Sequence, residues 1–161
     1  MQEQSVVNED IAELPELTRK LYRFIGNWKL SGVYRRNGRA SRVEGRFDVS
    51  PAAGGFGLLA RMHAEVEGLG SYEEVDMLGY DPGCDEYHIF YATNGADTHD
   101  HRGDFADENS LTLRYRGLRD GERFLEEDSI EFRSDDEFRL RVTDKVSDRV
   151  VSETETTMQR L

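Results

Sequence analysis

Residues 110–144, with the sequence SLTLRYRGLRDGERFLEEDSIEFRSDDEFRLRVTD, predict three antiparallel strands joined by tight turns. Apolar and polar side chains alternate through this stretch, as they do in strands with one buried face. The Asp-Gly pair at 120–121 is a hairpin signal, because both residues tolerate the positive φ that two-residue turns require. The polar turn at 134–136 places Phe132 opposite Phe138, so the apolar faces of their strands belong to one core.

The same alternation extends through most of the chain, with turn signals about every ten residues. Asn37-Gly38 and Asn94-Gly95 mark two further hairpins. The predicted strands are Trp28–Arg36, Arg42–Ser50, Phe56–Val66, Tyr72–Tyr80, Glu86–Thr93, Thr98–Phe105, Ser110–Gly117, Arg123–Phe132, Glu137–Asp144 and Arg149–Arg160.

A short helix precedes the strands. Apolar residues at helical spacing predict it over residues 10–25, and Gly26 stands where such a helix ends. The apolar stripe consists of Leu14, Leu17, Leu21 and Phe24. A helix this short is marginal alone, so we expect it to pack against the strands.

Ten strands joined in chain order by short loops form either a sandwich or an up-and-down barrel. Their even spacing and the lack of long crossovers favour the barrel, in which closure removes the exposed sheet edges. We therefore predict one all-β domain over 1–161, with a flexible start at 1–9 and a ten-stranded antiparallel barrel over 26–161. The helix is expected to close one end of the barrel.

Composition excludes several classes of function. The chain has 161 residues and a formal net charge of −12, the wrong sign for a partner of nucleic acid or of anionic membranes. Cys84 is the single cysteine, so neither an internal disulfide nor a thiolate zinc cluster is possible. The sequence contains neither a signal-peptide pattern nor an apolar run long enough for membrane insertion, which predicts a cytoplasmic protein.

The segment Gly26-Asn27-Trp28-Lys29-Leu30 opens the first strand directly after the helix. It resembles the Gly-x-Trp signature of the calycins, a superfamily of lipocalins, fatty-acid-binding proteins and haem-binding nitrobindins. The resemblance implies a calycin-like barrel in which Trp28 closes one end and Arg160 packs over its ring. A guanidinium on an indole contributes about 1–2 kcal/mol when it is partly desolvated.

A mostly bacterial lipocalin-like family of unknown function gives the nearest pattern. It carries the Leu-Gly-Tyr-Asp segment found here at 78–81, and the resemblance spans residues 17–160. Two features of better-known relatives are missing. Residues 31–46 run directly into a hairpin where fatty-acid-binding proteins have a two-helix lid, and the last two strands lack the histidine expected for the haem ligand of nitrobindins.

The hairpin around residues 94–95 carries three of the four histidines. If these two residues form the turn, His88 faces His101 and Phe90 faces His99. Alternation then places all three imidazoles on one face with Phe90, and this face is expected to line the barrel. Such a cluster can bind zinc, copper or iron, line a polar cavity, or act in acid–base chemistry. A change of register by one residue would separate the histidines.

Glu126 and Asp128 share a face with Phe124, Ile130 and Phe132. If that face is internal, burial raises the pKa of both acids. If the strand is partly exposed or the barrel holds water, they are ordinary polar residues.

These observations predict a protein that binds a small apolar or amphipathic molecule inside the barrel, with no cofactor. The absence of a Gly-x-Ser-x-Gly elbow and of a phosphate loop favours a binding protein over an enzyme. Two alternatives stay open. One is a metal- or haem-dependent protein that uses His88, His99 and His101, and the other is a ligand-free oligomerising module such as a homodimer. The predicted ligand-binding residues are His88, Phe90, His99 and His101, with Met62 and Tyr80 as further candidates.

Overall fold

The computed structural model describes residues 15–161, in which ten antiparallel strands close into one barrel. Each strand pairs with the next in the chain, and the first pairs with the last. The predicted all-β up-and-down barrel is confirmed. Its strands are β1 (Gly26–Arg36), β2 (Arg39–Ala52), β3 (Gly57–Val66), β4 (Gly70–Asp81), β5 (Glu86–Thr93), β6 (Thr98–Phe105), β7 (Ser110–Arg119), β8 (Glu122–Phe132), β9 (Glu137–Val146) and β10 (Arg149–Arg160).

Two predicted hairpin turns have the left-handed backbone that their residues favour. Asn37 and Gly38 have φ of 52° and 75°, and the Asp-Gly pair at 120–121 has 53° and 82°. In the β8–β9 hairpin Phe132 pairs with Phe138, as the alternation predicts. Turn chemistry therefore sets the register of these hairpins.

One end of the barrel is closed by α1 (Glu16–Lys20) and the 3₁₀ turn (Leu21–Phe24) that continues it. The Phe24 ring lies 4.9 Å from the ring of Phe132 and 5.4 Å from that of Phe138, measured between centroids. Leu21 and Phe24, two residues of the predicted apolar stripe, are buried against the strands, which supplies the stability that so short a helix lacks alone.

The predicted helix begins five residues before the described chain. Its residues 10–14, and the segment 1–9 that was expected to be flexible, lie outside the described residues. No helix within residues 15–161 has the length and apolar character needed to cross a bilayer.

The Gly-x-Trp segment is packed at this closed end. Trp28 is fully buried, and its indole N–H donates to the carbonyl of Phe24 at 2.8 Å. The guanidinium of Arg160 lies over the indole, 4.1 Å from its centroid, and donates to the carbonyl of Ile25 at 2.7 Å. Gly26 leaves the space for this arrangement, because a Cβ there would lie 2.3 Å from Nη1 of Arg160.

The β5–β6 hairpin differs from the predicted two-residue turn. Its loop has three residues, 94–96, of which Ala96 has a left-handed φ of 65°. The N–H of Thr93 donates to the carbonyl of Asp97 at 3.0 Å and so closes the loop one residue later than predicted. Three-residue loops that end in a left-handed residue are a common alternative to two-residue turns.

This extra loop residue changes which side chains share a face. It pairs His101 with Ile89 instead of His88. His99 and His101 point inward, whereas His88 and Phe90 lie on the outer face, where Phe90 is 47% exposed. The prediction that all four side chains face the interior is therefore wrong for His88 and Phe90, because side chains alternate between faces along each strand.

Candidate functional site

The barrel encloses a cavity of about 490 Å³ that opens away from the helix. Loop residues Leu69 and Gly95 border its mouth, and the side chain of Leu69 is exposed. Towards the closed end the cavity has an apolar floor, formed by Phe24, Leu30, Phe47, Leu78, Phe138 and Met158. The volume lies within the roughly 300–1,000 Å³ typical of small-molecule sites.

A layer of four carboxylates lines the cavity above this floor. Glu74 and Asp76 come from β4, and Glu126 and Asp128 come from β8. Both members of each pair point inward because their positions differ by two. Asp76 is only 4% exposed, and both acids of β8 are also buried. The face of β8 that carries Glu126 and Asp128 is therefore internal.

Burial changes the protonation of this layer. It raises the pKa of Glu126 to about 7, with a further contribution from Asp144. Burial, reinforced by Glu74, raises the pKa of Asp76 well above its usual range. The pKa of Asp128 is also raised, first by burial and then by Glu126. A low-dielectric site favours the neutral acid when no cation compensates the charge.

Few cations face the carboxylates. Among the described residues that line the cavity, only Arg36 and Arg119 carry a permanent positive charge. Nη1 of Arg119 lies 3.8 Å from Asp144, and its guanidinium covers the ring of Phe124. Arg36 is exposed at the end of β1. Within the described cavity wall, Arg119 acts to lower the pKa of Glu126, but burial and the nearby Asp144 outweigh it, so the negative charge of the layer is only partly compensated.

Two tyrosine hydroxyls hold the glutamates of the layer. Tyr72 donates to Glu74, and Tyr91 donates to Oε1 of Glu126 at 2.8 Å. The hydroxyl of Tyr91 also lies 2.8 Å from Nδ1 of His99. Each glutamate is therefore oriented by a neighbouring side chain rather than left free in the cavity.

The two inward histidines of β6 stand against the carboxylates of β8. Nδ1 of His99 lies 3.3 Å from Oε2 of Glu126, and Nε2 of His101 lies 3.7 Å from Oε1 of the same residue. Nε2 of His101 is also 3.9 Å from Oδ2 of Asp128. Burial and the neighbouring His99 lower the pKa of His101 to about 4, which keeps its imidazole neutral at pH 7. Tyr115 stacks on the ring of His99 at 3.9 Å.

The other predicted site residues are dispersed. Met62 lines the cavity. Tyr80 lies at the closed end, where its ring is 5.2 Å from that of Tyr87 and its hydroxyl donates to Asp85 at 2.5 Å. His88 contacts Asp100 on the outer face, with 3.1 Å between Nδ1 and Oδ1.

The sequence reasoning missed Glu74 and Asp76 as site residues. A usable signal exists, because Glu74 and Asp76 lie four and two residues before Leu78 in one strand and so share its face. Leu78 is an apolar residue expected to face the core. The adjacent Glu73 obscured it, since the pair reads as two ordinary surface acids. In the structure Glu73 points outward and lies 3.6 Å from Nδ1 of the exposed His63.

No protein-family model matches the chain, and the comparison with curated proteins gives no relative. Among solved structures, the S-type phycobiliprotein lyase CPES from Guillardia theta is similar, with a TM-score of 0.61, 13% identity, and coverage of 96% of this chain and 97% of that one. The structure of EF1p2_mFAP2b bound to DFHBI has a TM-score of 0.52 and 11% identity over 91% of this chain and 100% of its own. The redesigned barrel mFAP0, also bound to DFHBI, has a TM-score of 0.50 and 13% identity over 86% and 99%. At these identities the comparisons show the fold alone, that of a closed β-barrel.

Proposed function

We propose that this protein binds a small organic molecule with an apolar body and a basic nitrogen inside the barrel. One observation carries the proposal: four carboxylates, three of them buried, line a cavity with an apolar floor, and Arg36 and Arg119 are the only arginine or lysine residues in its described lining. The residues are Glu74, Asp76, Glu126 and Asp128.

The apolar floor supplies affinity for the body of the ligand. Each methylene group withdrawn from water contributes about 0.8 kcal/mol, so an eight-carbon chain gains at most about 6 kcal/mol before the cost of association. Phe47 and Met158 are buried at the floor, where such a chain would pack against apolar side chains instead of contacting water. This part of the site selects for hydrophobicity rather than for a particular functional group.

The carboxylate layer supplies the specificity for a cation. Without a ligand, burial holds part of the layer neutral, since ionised acids are costly in a low-dielectric site. A protonated amine placed between Asp76 and Glu126 compensates their charge, so binding favours ionised carboxylates and releases protons. A carboxylate ligand would meet charges of the same sign and would be rejected.

The structural neighbours support an interior site. Two barrels of the same architecture are described as bound to the small molecule DFHBI. This likeness does not bear on a basic group, which rests on the carboxylates alone.

Isothermal titration with three ligands of equal chain length tests the proposal: octylamine, octanol and octanoate at pH 7. We expect octylamine to bind at least about tenfold more tightly than octanol, a difference of roughly 1.4 kcal/mol. Octanoate is expected to bind most weakly. Titration in buffers of different ionisation enthalpy should reveal proton release with octylamine and none with octanol.

Two variants locate the basic group. Glu74→Gln with Asp76→Asn removes two charges from the layer and should abolish the preference for octylamine while octanol still binds. Glu73→Gln changes the outward neighbour and should leave all three affinities unchanged. Equal binding of all three ligands, tighter binding of octanoate, or no binding of any would overturn the proposal.

A further inference from the structure

We propose that His99, His101 and Glu126 form a binding site for a divalent transition-metal ion in the barrel wall, with Asp128 as a fourth donor. This site is distinct in chemistry from the proposed amine site, although Glu126 and Asp128 belong to both. One ligand atom from each of the first three residues lies within 4.8 Å of the others. They come from β6 and β8, strands that lie on either side of β7.

The state of His101 is the observation that points to a ligand. Its side chain is fully buried, yet neither ring nitrogen has a hydrogen-bond partner among the described residues. Buried polar groups in folded proteins are almost always paired, so an unpaired imidazole requires an explanation. Nε2 of this ring faces the carboxylates of Glu126 and Asp128 at 3.7 and 3.9 Å, too far for hydrogen bonds.

These distances suit a shared ion. Zinc lies about 2.0–2.2 Å from nitrogen and oxygen ligands, which places neighbouring donors of a tetrahedral site about 3.3–3.6 Å apart. The observed separations are 3.3 Å from Nδ1 of His99 to Oε2 of Glu126, 3.7 Å from Nε2 of His101 to Oε1 of Glu126 and 3.9 Å from Nε2 of His101 to Oδ2 of Asp128. A shared ion therefore requires Glu126 to bind through both oxygens or to rotate, and Nδ1 of His99 to exchange its contact with the Tyr91 hydroxyl for the ion. Oδ1 of Asp128 also lacks a hydrogen-bond partner among the described residues, which leaves that carboxylate available.

Surrounding aromatic side chains hold the donors in place. Tyr91 donates to Oε1 of Glu126 at 2.8 Å and stacks on His101, with 4.9 Å between ring centroids. Tyr115 stacks on His99 at 3.9 Å. A hydrogen bond to a ligating carboxylate and a fixed imidazole orientation are the usual outer supports of a metal site.

The donor set selects the class of metal. Two neutral imidazoles and two carboxylates balance a doubly charged ion, and such ligands suit zinc and its neighbours better than magnesium or calcium. Thiolate does not contribute, since Cys84 is exposed in the β4–β5 loop. Of the metals that the three-histidine prediction allowed, zinc fits a four-donor tetrahedral arrangement best.

Cobalt titration of the full chain tests the inference. Protein treated with a chelator and then dialysed is titrated with cobalt(II), and visible absorption of four-coordinate cobalt is followed. We expect saturation at one ion per chain and loss of the absorption when zinc is added. Elemental analysis of the zinc-loaded protein after gel filtration should give the same stoichiometry.

Variants separate the site from the outer histidines. Glu126→Gln keeps the shape of the side chain and should weaken cobalt binding by more than about a hundredfold, since loss of an outer-shell partner alone costs 10–100-fold. His101→Gln should have the same effect, and circular dichroism establishes that each variant is folded. His88→Gln and His63→Gln alter histidines on the outer face and should leave binding unchanged.

The outcomes distinguish this inference from the proposed function. Octylamine titration of the metal-free protein tests the amine site alone, and its failure leaves the cobalt result intact. Absence of cobalt absorption in the wild-type protein overturns the metal site. Loss of binding in His88→Gln equal to that in His101→Gln would also overturn it, because the ion would then lie outside the barrel.

Discussion

The guanidinium of Arg160 lies 4.1 Å from the centroid of the Trp28 indole and joins the last strand of the barrel to the first. The same guanidinium donates to the carbonyls of Ile25 and Asp135, each at 2.7 Å. Three segments of the chain therefore meet at one cation: the end of the helix, the β8–β9 turn and β10. This contact closes the barrel at the end opposite the mouth of the cavity.

Replacing Trp28 by alanine tests how much this closure contributes. Trp28 is fully buried and lies 4.8 Å from the ring of Phe138. We expect the free energy of unfolding to fall by about 3–5 kcal/mol, as for other buried aromatic residues. Urea denaturation measures it, and a change below about 1 kcal/mol would mean that the indole does not close the barrel.

The space at Gly26 gives a second prediction. Its φ is 142°, and a Cβ would lie 2.3 Å from Nη1 of Arg160. Gly26→Ala should destabilise the protein by about 1–3 kcal/mol through backbone strain and displacement of the guanidinium. Gly79→Ala is the matched control, since nothing lies within 4 Å of a Cβ there. Equal thermal stability of the two variants would contradict the prediction.

The three-residue loop of the β5–β6 hairpin predicts a stabilising substitution. Ala96 has a φ of 65°, a conformation that costs a non-glycine residue about 1–2 kcal/mol. Ala96→Gly should raise the free energy of unfolding by about 0.5–1 kcal/mol after the greater entropy of unfolded glycine is subtracted. Ala92→Gly, within β5, should lower it. If Ala96→Gly destabilised the protein as much as Ala92→Gly, residue 96 would not need a left-handed conformation. The two-residue turn and its register would then be favoured instead.

The buried carboxylates predict a dependence of stability on pH. The pKa of Asp76 is raised on folding, first by burial and then by Glu74, with Asp128 adding to the effect. Because the pKa of Asp76 is higher in the folded than in the unfolded chain, its contribution to the free energy of unfolding is complete below the unfolded-state pKa of about 4. That contribution is lost as the pH rises through the folded-state pKa. Wild-type protein should therefore lose stability relative to Asp76→Asn above pH 4, by up to about 1.4 kcal/mol per pH unit.

Urea unfolding of both proteins at several pH values between 4 and 8 measures this difference. Asp48→Asn, an exposed position on β2, should follow the wild-type curve. A constant difference between wild type and Asp76→Asn across the range would mean that Asp76 has the same pKa in the folded and unfolded chains.

Much of the architecture was predictable from local pattern. The bounds of β5, β6 and β10 agree with those predicted from alternation and turn residues, and the other strands differ by a few residues at their ends. The Asp-Gly turn at 120–121 specified its own register, because its two residues adopt the positive φ that a two-residue hairpin needs. Strand order followed from the short loops, which permit only antiparallel neighbours.

The candidate site was predictable only in part. His99, His101, Glu126 and Asp128 were recognised as chemically notable residues, but local pattern did not place the two pairs against one another. The β5–β6 register depended on one loop residue, Ala96, whose left-handed conformation is uncommon for alanine. That residue decided that His88 faces outward.

The sequence alone determined an antiparallel all-β chain with a short helix, because alternation and turn propensity act between residues close in the chain. Only the tertiary structure decided that Asp76 and Glu126 line one cavity and that His101 stands unpaired beside two carboxylates. Burial, and with it the pKa of each acid, depends on which strands face each other across the closed barrel. That relation joins residues about fifty positions apart, and no local pattern encodes it.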